Sequence, residues 1–280
     1  MHHLANSSAI KRAADLISSA DGLVIMAGAG MGVDSGLPDF RGTKGFWEAY
    51  PALARARLDF TSIANPRAFQ TDPYRAWGFY GHRLALYRST VPHIGFQILR
   101  EIGDKMPNGA FVITSNVDGQ FQKAGFSENQ ILEIHGSIHR LQCLTPCRGS
   151  VWSADFVEPK TDDALCQWTA DKLPKCSHCR GLARPNILMF DDWQWIDIRQ
   201  NVQRSARDIW FEKSGSRVII ELGAGTQIPS IRRGSENSGS PVIRINPRHS
   251  ELPEGMGVSL SMGASEALLA IQLALGLQSM

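Results

Sequence analysis

His135 stands directly after the apolar run Ile131-Leu132-Glu133-Ile134, and imidazole is the side chain best suited to moving a proton near neutral pH. A single histidine is more often structural than catalytic. Here, however, four other short apolar runs end the same way, in polar or glycine residues: 22–27 in Gly28-Ala29-Gly30, 111–114 in Ser115-Asn116, 218–222 in Gly223-Ala224-Gly225, and 242–245 in Asn246-Pro247. Runs of this kind are typical of buried parallel strands, whose ligands bind beyond the carboxyl ends. Five strand ends thus converge on one crevice, and His135 faces it.

The glycine-rich string asks for a phosphate. Glycines at 28, 30 and 32 let backbone N–H groups approach a pyrophosphate without interference from a Cβ. The usual dinucleotide fingerprint has a third glycine where Val33 stands, and no acid clearly closes a second strand about 20 residues on, where a dehydrogenase holds its ribose. Pro38-Asp39-Phe40-Arg41-Gly42 follows instead, an acid, an aromatic and a base beside the phosphate loop. That set is suited to gripping a ribose and pressing on a nicotinamide ring.

Cysteines supply a second chemistry. Cys143 and Cys147 form one close pair, Cys176 and Cys179 another, and Cys166 is left over. In a chain without an apparent export signal, such pairs suggest thiolate ligands to zinc more than disulfides, and four thiolates suit a closed structural site. A long spacing between the pairs leaves His178 or Cys166 open as a substitute ligand.

These groups need a scaffold, and the composition provides for one. The 280 residues exceed the ~100–150 of a single common domain, so one large domain with a smaller insertion is expected. Hydrophobic residues at 43% and charged residues at 20% provide a core and exclude a membrane protein, and a net charge of +2 gives no reason to expect nucleic-acid binding. The first 20 residues read as an amphipathic helix rather than a secretory leader, which makes a cytoplasmic enzyme the default. Helices are expected over 10–20 and 93–103, and residues 233–241 read as a polar surface loop.

Residues 28–42, GAGMGVDSGLPDFRG, resemble the first motif of the sirtuins, NAD-dependent protein deacylases, with Gly32 at a usual serine and Leu37 at a usual isoleucine. Further resemblance extends to about residue 265. It implies an α/β fold: a Rossmann-like parallel sheet from 1–44, 89–137 and 191–280, a helical insert at 45–88 and a small zinc-binding module at 138–190. It implies NAD and one structural zinc, held by Cys143, Cys147, Cys176 and Cys179. NAD would be contacted by Gly28, Ala29, Gly30, Asp39, Phe40, Arg41, Ser115, Asn116, Asp118, Gly223, Ala224, Gly225 and Asn246. In the implied reaction His135 is the general base, Asn116 positions the ribose or a water, and Asp118 anchors the nicotinamide carboxamide. The acyl group of a modified lysine on a protein or peptide passes to ADP-ribose.

This chain departs from the pattern in places. Ser115 replaces a usual glutamine, Asp191-Asp192 replaces a usual Gly-Glu, and the proline of the 223–229 motif comes one place early. Ala64, Tyr80 and Arg83 resemble the A…YxxR signature of sirtuins that remove succinyl or malonyl groups, with arginine suited to gripping a distal carboxylate. The rival readings are an NAD glycohydrolase or mono-ADP-ribosyltransferase, and a non-catalytic NAD sensor.

Overall fold

The computed structural model describes residues 2–38 and 42–277, with side chains described over 7–38 and 45–277. Asp39, Phe40 and Arg41 lie outside the described residues. The strands run, in chain order, β1 Gly22–Ala27, β2 Ala110–Thr114, β3 Ile131–Glu133, β4 Gly136–Cys143, β5 Val151–Ser153, β6 Thr161–Asp162, β7 Gln167–Trp168, β8 Ala183–Ile187, β9 Arg217–Leu222, β10 Val242–Ile245 and β11 Gly257–Leu260.

Six of them form one parallel sheet in the order β11-β10-β9-β1-β2-β3. Counted within that sheet alone, this is the doubly wound order of dinucleotide-binding folds, reversing between β1 and β9. All six residues of β1 are buried, as a strand covered on both faces requires. β11 was not anticipated: Gly257-Val258-Ser259-Leu260 has two apolar residues in alternation rather than a continuous apolar run.

Helices His2–Ser18, Ile94–Asp104 and Ala264–Ala274 cover one face, burying Ala13, Ile17, Ile98, Leu99, Leu268 and Ile271 against the sheet. The second of these begins at His93, whose Nδ1 accepts the Gly95 N–H at 3.0 Å and so caps the first turn. Helix Ile198–Lys213 and the short helix Ser230–Glu236 cover the other face. The latter overturns part of the loop expected over 233–241. Ile231 and Ser235, one turn apart, both bury, and the Ser235 hydroxyl donates to the Glu221 carboxylate on β9.

A second core joins the helices of residues 42–89 to the antiparallel sheet β5-β4-β8, through Phe46, Trp77, Phe79, Ile138, Leu141 and Trp168. Gly136 makes the corner between the two sheets. Its φ is +77°, and a Cβ there would lie 2.1 Å from the Asn186 carbonyl oxygen, so no other residue fits without moving β8. Among the described residues no helix is long and apolar enough to cross a membrane.

Candidate active site

A cavity of about 780 Å³ opens along the carboxyl edge of the parallel sheet. Residues following β1, β2, β3, β9 and β10 all line it, so the convergence expected from the strand ends is present.

At the β1/β9 reversal the two loops pass so closely that glycine is required. Gly223 has φ +58°, and a Cβ on it would meet the Gly30 carbonyl carbon at 2.3 Å; a Cβ on Gly30 would meet the Gly223 Cα at 2.7 Å. The donors differ from the simple expectation. Gly28 N–H donates to the Leu222 carbonyl at 2.9 Å and Gly30 N–H to the Gly223 carbonyl at 3.0 Å, so both are spent on joining the loops. The N–H groups of Ala29, Ala224 and Gly225 line the cavity and take no partner among the described residues. These are the donors left for an anion. A cradle that a Cβ would fill, edged with such N–H groups, fits a pyrophosphate. Gly32 instead faces the side chain of Leu37, 3.0 Å from where its Cβ would be.

His135 is half-buried and lines the same cavity. Burial holds its pKa below the ordinary imidazole value, and a hydrogen bond to the Ser115 backbone opposes that in part. The ring is thus neutral at physiological pH, the state a base must be in. Asn116 is fixed beside it: its Nδ2 donates to the Gly28 carbonyl at 3.0 Å and its backbone N–H to the Thr114 hydroxyl at 3.0 Å. Ser115 Oγ is 3.5 Å from the Ala27 carbonyl, a weak contact that leaves a short side chain at the cavity wall. Asp118 is buried, and desolvation pushes its carboxyl up to about 6 despite the Gln120 backbone N–H it accepts at 2.9 Å. Asn246 is occupied internally, donating to the Ala224 carbonyl at 3.1 Å and accepting the N–H groups of Arg248 and His249. It shapes the loop that borders the cavity.

The opposite wall belongs to the helices. Ala64 follows helix Phe60–Ile63, while Tyr80 and Arg83 sit one turn apart on helix Pro73–Ser89, and all three line the cavity. Tyr80 stacks on Phe69 with centroids 5.5 Å apart. The Arg83 guanidinium donates to the Tyr87 hydroxyl and lies 5.3 Å from the ring centroids of Phe79 and Tyr87. Tyr87, one further turn along, is a lining residue that the sequence reading missed, although its i,i+4 spacing from Arg83 was visible. The Asp191-Asp192 departure resolves into two roles. Asp192 forms a fully buried ion pair with Arg184 at 2.8 Å, while Asp191 is exposed at φ +54°.

Away from the cavity, the sulfurs of Cys143, Cys147, Cys176 and Cys179 lie within 4.8 Å of one another, with Cys143 to Cys179 at 3.4 Å and Cys147 to Cys176 at 3.7 Å. Tetrahedral zinc with bonds of ~2.3 Å sets its sulfurs about 3.8 Å apart, so the four fit that metal. Burial opposes ionisation of Cys176, yet backbone N–H groups of Cys179 and His178 bring its thiol down to about 7. Neither possible substitute joins the group: Cys166 is packed in the second core and His178 is exposed.

The Sir2 family profile matches residues 28–221. The NAD-dependent protein deacylase 2 of Pyrobaculum aerophilum is 32% identical over 258 residues, covering 91% of each chain. An NAD-dependent protein deacylase of Thermococcus sibiricus is 33% identical over 268 residues, covering 92% of this chain and 93% of its own. Among solved structures, a Sir2 homologue in complex with NAD superimposes with TM-score 0.68 at 25% identity, over 94% of this chain and 92% of that one. A mutant Sir2 homologue in complex with ADP-ribose gives 0.67 at 26% identity, over 96% and 98%.

Proposed function

The chain belongs to the Sir2 family, and from that premise we propose that it removes acyl groups from protein lysines at the expense of NAD. The observation that carries the reading is one cavity lined by Ala29, Ala224 and Gly225, by Asn116 and His135, and by Ala64, Tyr80 and Arg83. NAD supplies, when bound, an activated anomeric carbon with nicotinamide as its leaving group.

The protein's own groups do the rest. Backbone N–H donors at the β1/β9 reversal hold the pyrophosphate, and their geometry is set by a contact that only glycines allow. Asn116, immobilised on the Gly28 carbonyl, positions the nicotinamide ribose. Asp118 sits at the buried end of the cavity to receive the carboxamide; with its carboxyl near 6, both protonation states are accessible there. His135 is kept neutral by burial and takes the proton from a ribose hydroxyl.

The acyl group lies against Ala64, Tyr80 and Arg83. A small residue leaves room at the end of the pocket, and the guanidinium, with Tyr80 and Tyr87 near it, suits a distal carboxylate, so succinyl or malonyl lysine is the favoured substrate. Residues 45–88 act as the insert that carries this selectivity, and residues 138–190 as the zinc module that supports it. Free thiols poised for a metal agree with a cytoplasmic setting.

Nicotinamide release from NAD, measured with and without an acylated lysine peptide, tests the proposal. Release that depends on the peptide is expected. Equal release without it would make the protein a glycohydrolase, and none in either case a sensor.

A further inference from the structure

One side chain reaches from the antiparallel sheet to the wall of the cavity. His139 lies on β4, and its Nε2 is 2.9 Å from the carbonyl oxygen of Asp118, in the loop after β2. A carbonyl only accepts, so this nitrogen carries a proton and donates. Burial holds the His139 pKa below the ordinary imidazole value, with the Asp118 carbonyl opposing in part, and the donor is a neutral ring. Beside it, the Ile138 N–H donates to the Val117 carbonyl at 3.0 Å. Two successive carbonyls of the loop are thus held by two successive residues of β4.

The contact is fitted on both sides. Gly119 has φ +71°, and a Cβ on it would lie 2.7 Å from Cδ2 of His139, so the imidazole fills the space that a side chain at 119 would need. The backbone that carries the ring is fixed, since the His139 carbonyl accepts the Ala154 N–H at 2.9 Å. The Asp118 carboxyl is fixed in turn, its Oδ1 accepting the Gln120 N–H at 2.9 Å. Asp118 is the only carboxylate among the described residues that line the cavity, and His139 stands outside that lining. With its carbonyl and its carboxyl both tied, Asp118 has little freedom to turn.

We propose that His139 is a positioning residue for nicotinamide: by holding the Asp118 carbonyl it sets the place of the carboxyl that receives the carboxamide, in NAD and in the released product alike. This deepens the deacylase reading and rests on it, through the role given there to Asp118. Taking the donor away leaves a buried carbonyl without its partner, which should weaken the recognition that depends on it by about five- to tenfold.

The test uses the full chain with an acetyl- or succinyl-lysine peptide, whichever turns over faster. In His139→Leu, which keeps bulk and loses the donor, the KM for NAD and the inhibition constant of added nicotinamide should both rise about five- to tenfold. By isothermal titration the Kd of ADP-ribose, which has no carboxamide, should stay within about twofold, below the effect of one lost hydrogen bond. His139→Gln, whose amide can donate from a similar reach, should restore most of what the leucine loses. Parallel losses for ADP-ribose and nicotinamide would make His139 a residue of the fold and overturn the inference. So would a glutamine variant no better than the leucine one, or a leucine variant that behaves like the unmodified chain. In each of these cases the unmodified chain still releases nicotinamide only with the peptide, and the deacylase reading stands. If it does not, that reading and this inference fall together.

Discussion

The cavity has two walls built on different principles. The sheet wall is built largely of backbone: N–H groups at Ala29, Ala224 and Gly225, the Gly28 carbonyl that holds Asn116, and loops brought together by the Gly30–Gly223 contact. The helix wall recognises through side chains, an alanine, tyrosines and one arginine in an aromatic setting. Backbone geometry follows from the fold and changes little with sequence, whereas side chains can be exchanged singly. On the function proposed above, the common part of the reaction belongs to the first wall and the choice of acyl group to the second.

The sharpest way to separate the walls is to remove the metal. The helix wall shares its core with the cysteine module, while the parallel sheet has cores of its own. Structural zinc sites contribute on the order of 10–16 kcal/mol of apparent binding free energy to folding. Chelation, or Cys176→Ala, should therefore abolish hydrogen-exchange protection across β4, β8 and helix Pro73–Ser89. β1, β2, β9 and β10 should stay protected. Uniform protection, or uniform loss, would mean that the two walls are one cooperative unit.

A smaller intervention acts within the sheet wall. His135→Ala should lower kcat by about 10²–10⁴-fold, the usual range for a general base, with ADP-ribose affinity changed only a few-fold. Near-normal turnover would remove His135 from the chemistry. Smallest, and confined to the helix wall, is Arg83→Met. It should reduce kcat/KM for succinyl-lysine peptides roughly ten- to a hundredfold, with acetyl-lysine falling much less. Equal losses on both substrates in a competition assay would place Arg83 in service of the dinucleotide or the fold.

The sheet wall was also the more legible one. Its five strand ends could be read because parallel strands are continuous apolar runs and each stops at a polar or glycine residue. Which strands are neighbours could not be read, since pairing joins β1 to β9 across nearly two hundred residues and leaves no local trace. β11 escaped because it has only two apolar residues, Val258 and Leu260, separated by an exposed serine, and so forms no continuous apolar run. The helix Ser230–Glu236 escaped because its two buried positions, Ile231 and Ser235, sit among residues that read as a polar turn. On the helix wall, Ala64, Tyr80 and Arg83 were identified by resemblance, but Tyr87 belonged to no motif. The glycines were read as letting backbone N–H groups approach a pyrophosphate, but what approaches Gly30 is Gly223, the N–H groups of Gly28 and Gly30 are spent on carbonyls, and the free donors are on their neighbours. Asp192 read as a departure in a substrate cleft. Only the structure pairs it with Arg184, because both are drawn into the interior together.

Gly136 places His135, the proposed base, at a seam. Its +77° φ ends the strand run of one sheet and starts β4 of the other, and the carbonyl of His135 accepts the Leu188 N–H at 2.9 Å from the segment after β8. The backbone that carries the imidazole is thus tied to both halves at once, and this limits how the two can be recombined. A zinc module transplanted from a relative would have to bring its own segment 186–188 in register with Gly136, or the graft would fold and still misplace the proton acceptor. In such a graft the distal strands of the module could vary, but this joint could not.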